Sequence, residues 1–260
     1  MSVAELLKSL RSLVAYHQSC GVDNYRSSKA LTSGLQILDG LAVGQPGSDK
    51  AVSTSPTIKA VPETENIRTG ILTIDDLAVE IRGCRICPLH KAKKANTAGK
   101  GGLQPGLVVV GDWLVHGTDP YQDEIFGVQQ DLMLSRMVAA IDLKPAEVFI
   151  TNTIKCSVTE LYKSDSSHIA ACLSYLKQQI ALLSPKVICT MGIVASQTLL
   201  NSSQSLIKLR GRFHEFHSGS GKTIPVLPTF HPSYLLKNPE MKQPTWNDLQ
   251  AVKRKLDQAL

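Results

Sequence analysis

From Ile71 onward the chain alternates two hydrophobic rhythms. In TIDDLAVEIRGC (73–84), QQDLMLSRMVAAI (129–141), HIAACLSYLKQQIALL (168–183) and TWNDLQAVKRKLDQAL (245–260), apolar residues recur every three or four positions, which predicts amphipathic helices. Between them lie short apolar runs: LVVVG (107–111), EVFITN (147–152), KVICTMG (186–192) and TIPVLPT (223–229). These are too short for helices and rich in β-branched residues, so they predict strands buried on both faces; a short helix follows the third. Helices alternating with such strands predict an α/β domain with a central, mainly parallel sheet covered on both sides. Ligands of such sheets bind beyond the carboxyl ends of the strands. Gly111-Asp112, Asn152 and His231 all fall there, on one rim.

The first 70 residues follow another pattern. Residues 2–20 predict a helix, with Ser2 and Glu5 as a capping box, Leu6, Leu7, Leu10, Leu13 and Val14 on one face, and Gly21 as the stop. From Gly40 to Thr69 no period is sustained, and Gly, Pro, Ser and Thr abound. The expected organisation is a helical segment over 1–39, a flexible linker over 40–69 and a domain over 70–260, with no internal repeat. The apolar face of the first helix would suit a protein partner.

Composition narrows the choice of partner. The 260 residues are 43% hydrophobic, ordinary for a globular chain, and carry a net charge of +6 with a pI near 9.0. A basic balance favours an anionic partner, nucleic acid first among them. No segment reaches the roughly 20 apolar residues a spanning helix needs, and the N-terminus lacks a signal-peptide pattern, so a cytoplasmic monomer without membrane contact is expected. Structural disulfides are not expected in that compartment. Of the six cysteines, Cys84 and Cys87 form a C-x2-C pair, and Cys156 and Cys172 lie much later in the chain. Spacing leaves three readings open: small core residues, a zinc site, or a 4Fe-4S cluster, which needs four thiolates and tolerates wide separation. Cys20 and Cys189 read as buried thiols.

Four blocks, IRGCRICPLHKAKK, FITNTIKC, CLSYLKQQIALLSPKVICTMG and PTFHPSYLLKNPEMKQPTWNDL, stand in the order and at about the spacing seen in family-4, iron-sulfur uracil-DNA glycosylases. The resemblance runs from about Ile74 to the C-terminus. It implies a three-layer α/β/α fold and an enzyme that flips uracil, or a related deaminated base, out of single- or double-stranded DNA and hydrolyses its glycosidic bond. By position, Cys84, Cys87, Cys156 and Cys172 would ligate a 4Fe-4S cluster, with zinc as the alternative. His231 in HPS matches the histidine that steadies the departing base, and Asn152 matches the asparagine that reads the uracil edge. Phe126 in EIFG matches the aromatic that stacks on the ring, and Gly111 lies against the base. Arg210 and Arg212 in KLRGR, with Ser233 and Lys237 in HPSYLLKNP, would meet DNA, and Leu235 or Leu236 would serve as a wedge.

The resemblance breaks after the first strand. Where the family has a GE-small-PG turn, this chain reads Gly111-Asp112-Trp113-Leu114-Val115. Asp112 keeps a carboxylate to position water or support the developing cation, one methylene shorter than glutamate. Trp113 and Leu114 replace small residues with bulk that would crowd a base pocket. GTDPY (117–121) is similar to the GQDPY of family-1 uracil glycosylases, which makes Asp119 a second candidate carboxylate beside its simpler reading as a turn former. Asp123 and Glu124 read as a solvated face. CSVTE lacks the arginine usual after the third cysteine. The altered motif leaves a rival reading, a catalytically weakened relative that binds DNA or a protein through the inherited fold.

Overall fold

The computed structural model describes residues 73–115, 124–219 and 221–258. The predicted N-terminal helix and linker, Asp119 and Asp123 lie outside the described residues. Four parallel strands form the centre of a six-stranded sheet: β2 (Leu107–Gly111), β3 (Val148–Asn152), β4 (Val187–Met191) and β6 (Thr223–Thr229). Two antiparallel strands flank them, β1 (Lys100–Gly101) against β3 and β5 (His214–His217) against β6, giving the order β1-β3-β2-β4-β6-β5. The edge strands went unread in the sequence because Lys-Gly and His-Glu-Phe-His carry no apolar alternation.

Alternation along each central strand sends neighbours to opposite cores. Leu107 and Val109 pack with α2 (Val128–Ala140) and α7 (Lys242–Asp257) on one face. Val108 and Val110 pack with α3 (Ser166–Leu183) and α4 (Ile193–Leu200) on the other. This is the three-layer α/β/α arrangement, and it explains why the strands read as unbroken apolar runs. Outside α3 lies α1 (Ile74–Gly83), whose buried Leu77 and Ile81 meet Tyr175. Thr73 starts α1 by accepting the Asp76 N–H at 3.1 Å, and Asp165 starts α3 by accepting that of Ser167 at 2.7 Å. A short helix, α5 (Leu206–Leu209), precedes β5.

The HPSYLLKNP segment, expected to meet DNA, forms a helix after His231, α6 (Pro232–Lys237). Proline at its first position has no N–H to satisfy, and the His231 ring accepts the Ser233 N–H, so the turn is capped from within. Because the chain crosses from β2 to β3 on one side and then from β3 to β4 on the other side of β2, the strand order reverses around β2. The crevice beyond their carboxyl ends is the topological position for a ligand.

Candidate active site

The register levels the strand ends. Gly111 pairs with Asn152 and with Met191, and Met191 with Thr229, so Asp112, Thr153, Gly192 and Phe230-His231 emerge at about one height. Phe126 comes to the same rim from the loop before α2. Its backbone is fixed by Asp131, whose carboxylate reaches back to accept the N–H groups of Ile125 and Phe126, each at 2.9 Å. The Phe126 ring lies 4.8 Å from the His231 ring, centroid to centroid, at 55°. A Cβ on Gly111 would come within 2.8 Å of Asn152 Oδ1 and closer still to the Phe126 ring, so these groups converge where only glycine leaves space. Gly111, Phe126, Asn152 and His231 thus form one buried constellation.

Two atoms in it have no hydrogen-bond partner among the described residues: Asn152 Oδ1 and His231 Nε2. Unsatisfied buried polar atoms are rare and call for a reason. Their chemical character is set by the contacts of the same side chains. Asn152 Nδ2 donates to the Ile125 carbonyl at 2.5 Å and to Thr97 Oγ1 at 3.3 Å, which leaves the amide oxygen, a pure acceptor, as the free atom. His231 Nδ1 accepts the Ser233 backbone N–H at 3.2 Å and lies 2.8 Å from the Ser233 hydroxyl. A backbone N–H can only donate, so the ring proton of the neutral imidazole sits on Nε2. Burial pushes the His231 pKa down to about 4, so the ring is neutral at ordinary pH. The rim therefore presents one free acceptor and one free donor beside an aromatic face.

Asp112 occupies a different corner. Its Oδ1 accepts the Ala195 N–H at 2.7 Å, and Val194 N–H also donates to the carboxylate, so it caps the N-terminus of α4 from across the sheet. Gly192 has φ +109°, and a Cβ there would lie 2.6 Å from Asp112 Cγ. Desolvation outweighs these hydrogen bonds and raises the Asp112 pKa to about 7. Beyond it, the backbone runs beside residues 153–158: Thr153, Ile154 and Val158 N–H groups donate to the carbonyls of Gly111, Asp112 and Leu114. Trp113 makes an edge contact with Tyr162 at 5.2 Å, and Tyr162 stacks on His168 at 5.9 Å. The ring expected to crowd a pocket is engaged by that outer loop, while Leu114 is buried.

Three expected DNA contacts change on placement. Arg210 donates to Asp248 Oδ2 through Nε at 3.2 Å and Nη2 at 2.7 Å, donates to the Pro244 carbonyl, and covers the Phe230 ring at 5.1 Å. Asp248 also accepts the Thr229 hydroxyl at 2.6 Å, so Arg210 ties β6 to α7 instead of facing solvent. Leu235 is 1% exposed and Leu236 41%, which leaves Leu236 as the wedge candidate. Ser233 is occupied with His231. Arg212 and Lys237 are exposed. Glu124, expected on a solvated face, is half-buried.

Cys84 and Cys87 come after α1, Cys156 after β3, and Cys172 lies in α3. Cys156 and Cys172 each feel the charges of Cys84 and Cys87, and burial raises both thiol pKa values. By donor chemistry a set of four soft sulfurs suits an iron-sulfur cluster. As placed, no three His, Cys, Asp or Glu side chains among the described residues converge as ligands.

A mainly parallel open sheet with a donor, an acceptor and an aromatic face at its switch point narrows the class, and comparison with known proteins identifies it. Residues 98–250 match the sequence profile of the uracil DNA glycosylase superfamily, and the chain belongs to that superfamily. Among curated relatives it is similar to the Type-4 uracil-DNA glycosylase of Archaeoglobus fulgidus, 28% identical over 69% of this chain and 92% of the relative. The enzymes of the same name from Saccharolobus solfataricus and Thermotoga maritima are 29% identical over 70% of this chain and 86% of the relative, and 28% over 66% and 89%. No helix among the described residues is long and apolar enough to cross a membrane.

Asp131, Thr97 and Gly192 were missed as site residues by sequence reasoning, while Ser233, expected at DNA, contacts His231. Only Asp131 left a signal, as an acid in the first turn of a helix that begins after a glycine.

Proposed function

We propose that the protein excises uracil, or a related deaminated base, from DNA. The observation that carries this reading is the pair of buried, unpartnered atoms, Asn152 Oδ1 and His231 Nε2–H, beside the Phe126 ring. Uracil presents N3–H next to carbonyl oxygens, a donor beside acceptors, which suits an amide oxygen and an imidazole N–H. Cytosine would turn an N3 lone pair toward Asn152 Oδ1, and a site that leaves a buried polar atom facing a like atom rejects that base strongly.

In the reaction the C1′–N1 bond breaks, its electron pair leaves with the base, and water oxygen bonds to C1′, giving an abasic site and, after protonation, free uracil. Phe126 would stack on the flipped base, and Asn152 would accept N3–H. His231 would donate from Nε2 to a uracil oxygen as negative charge builds there, a contribution of about 10²- to 10³-fold in rate. Asp112, when ionised, would face the positive charge developing on the sugar or orient water. Arg212 and Lys237 would meet phosphates, and Leu236 would fill the gap left by the base. Cys84, Cys87, Cys156 and Cys172 would hold a 4Fe-4S cluster. That group would supply structure, joining the segment after α1 to α3 and to the end of β3.

A second reading, a weakened glycosylase that binds without efficient cleavage, is favoured by the engagement of the Asp112 carboxylate with α4. Single-turnover release of base from uracil-containing single- and double-stranded DNA separates the two. Release that falls in His231→Ala and Asp112→Ala supports the enzyme; binding without release supports the second reading. A brown preparation whose colour is lost in Cys84→Ser is expected for the cluster, whereas colourless, zinc-containing protein would exclude it.

A further inference from the structure

Lys155 lies three residues beyond the end of β3, and its side chain turns back into the protein, 1% exposed. Its Nζ donates to the Asn152 carbonyl at 2.7 Å, to Thr151 Oγ1 at 2.7 Å and to Gln179 Oε1 at 2.5 Å. These three acceptors match the three donors of an ammonium group, and no carboxylate is among them. Burying a lysine amine is costly even with Cys172 near enough to favour its charge, and an apolar chain of like length would fill the same space more cheaply. A purely space-filling role therefore does not account for lysine here.

The network reaches Asn152 at two points. Lys155 holds its main-chain carbonyl directly, just where the β3 ladder ends. Gln179, on α3, accepts from Lys155 and donates through Nε2 to the Ala98 carbonyl at 2.5 Å. The neighbouring Thr97 then accepts the Asn152 side-chain amide at 3.3 Å. Thr151 completes the ring by donating to Gln179 at 3.0 Å. Backbone and side chain of Asn152 are thus fixed from opposite sides by one connected set of buried polar groups, and the amide oxygen is the atom left over.

We propose that Lys155 is a positioning residue for base selection: with Gln179 it fixes Asn152 so that the amide oxygen faces the N3–H of a flipped uracil. This rests on the reading of Asn152 as the residue that meets the base. The test is Lys155→Met in the full-length protein, checked for fold by circular dichroism. Uracil release at saturating DNA is expected to fall about 10- to 100-fold, as for a displacement near 1 Å, with DNA affinity unchanged. The preference for uracil over cytosine is expected to narrow, and amide hydrogen exchange at residues 151–153 to quicken at least about tenfold, as for local opening of that strand end. If Lys155→Met does not fold, Thr151→Val removes one of the lysine's acceptors and is expected to move the same readouts less. A folded variant of either kind with unchanged selectivity and unchanged exchange would overturn the proposal. Wild-type protein that releases no uracil, with exchange still quickened in the variant, would instead sink the uracil reading and leave the positioning role standing.

Discussion

The two sides of the rim are built on opposite principles. On the Asn152–His231 side both polar side chains are held by contacts that leave one atom without a partner among the described residues, an acceptor and a donor, as the proposed base contact needs. On the Asp112 side the carboxylate is engaged by backbone N–H groups at the start of α4, and Trp113 is engaged by Tyr162. Recognition is therefore preorganised, while the carboxylate is held by the scaffold. If the proposed reaction holds, base binding and bond hydrolysis are separable here, and mutations on the two sides should fail differently.

The largest effect is expected on the recognition side. His231→Ala removes the only donor proposed for the leaving base, and single-turnover release of uracil should drop about 10²- to 10³-fold. Unchanged release would break the comparison at its stronger end.

Asp112→Asn sharpens the other side through pH. Only the ionised carboxylate suits a developing cation, so wild-type release should climb with pH and level off above about 7, the raised Asp112 pKa, with His231 already neutral above about 4. Release should be weak and lack that rise in Asp112→Asn. Stability gives a second readout. A carboxyl group whose pKa is higher folded than unfolded binds more protons in the native state, so its contribution falls as pH rises from about 4 to about 7, by about 4 kcal/mol in all. His231, lowered to about 4, works the other way, adding about 3 kcal/mol as pH rises from about 4 to 6.5. In wild type the two offset one another across that window. Denaturant titrations of Asp112→Asn should show the histidine slope no longer offset by Asp112, with stability rising more steeply with pH than in wild type through the same range.

A smaller effect is expected for Asp131→Ala, which leaves the Ile125 and Phe126 N–H groups without their acceptor. It should cost about 1–3 kcal/mol in stability and slow release by about tenfold through a misplaced ring. The smallest belongs to Trp113→Ala. Because the Trp113 ring packs on Tyr162, the loss should be about 1 kcal/mol of aromatic contact, with release changed no more than a few-fold. A large gain in release would mean that Trp113 obstructs the base after all.

The central strands were legible because burial on both faces writes itself as unbroken apolar runs, and TIPVLPT coincides with β6 residue for residue. The rim was legible for the same reason, since the end of each apolar run marks the residues that reach it. Side-chain partnership was not. Arg210 sits in a KLRGR segment that reads as a basic surface, yet Asp248, 38 positions on, takes its guanidinium into the protein. Trp113 reads as bulk in a pocket until Tyr162, far along the chain, supplies its neighbour. The helix over 232–237 was hidden because its cap is a histidine, which is not among the usual capping residues. Long-range pairs of this kind leave no local pattern.

The contact between Gly192 and Asp112 has a consequence for how this chain can change. Any side chain at 192 would need both a left-handed backbone and the space the carboxylate fills. Lengthening Asp112 to glutamate would press on the same turn. The two positions form a mutational bottleneck: a longer acid at 112 needs the start of α4 to loosen, and a side chain at 192 would deepen the same crowding, so the two changes together should cost more than either alone.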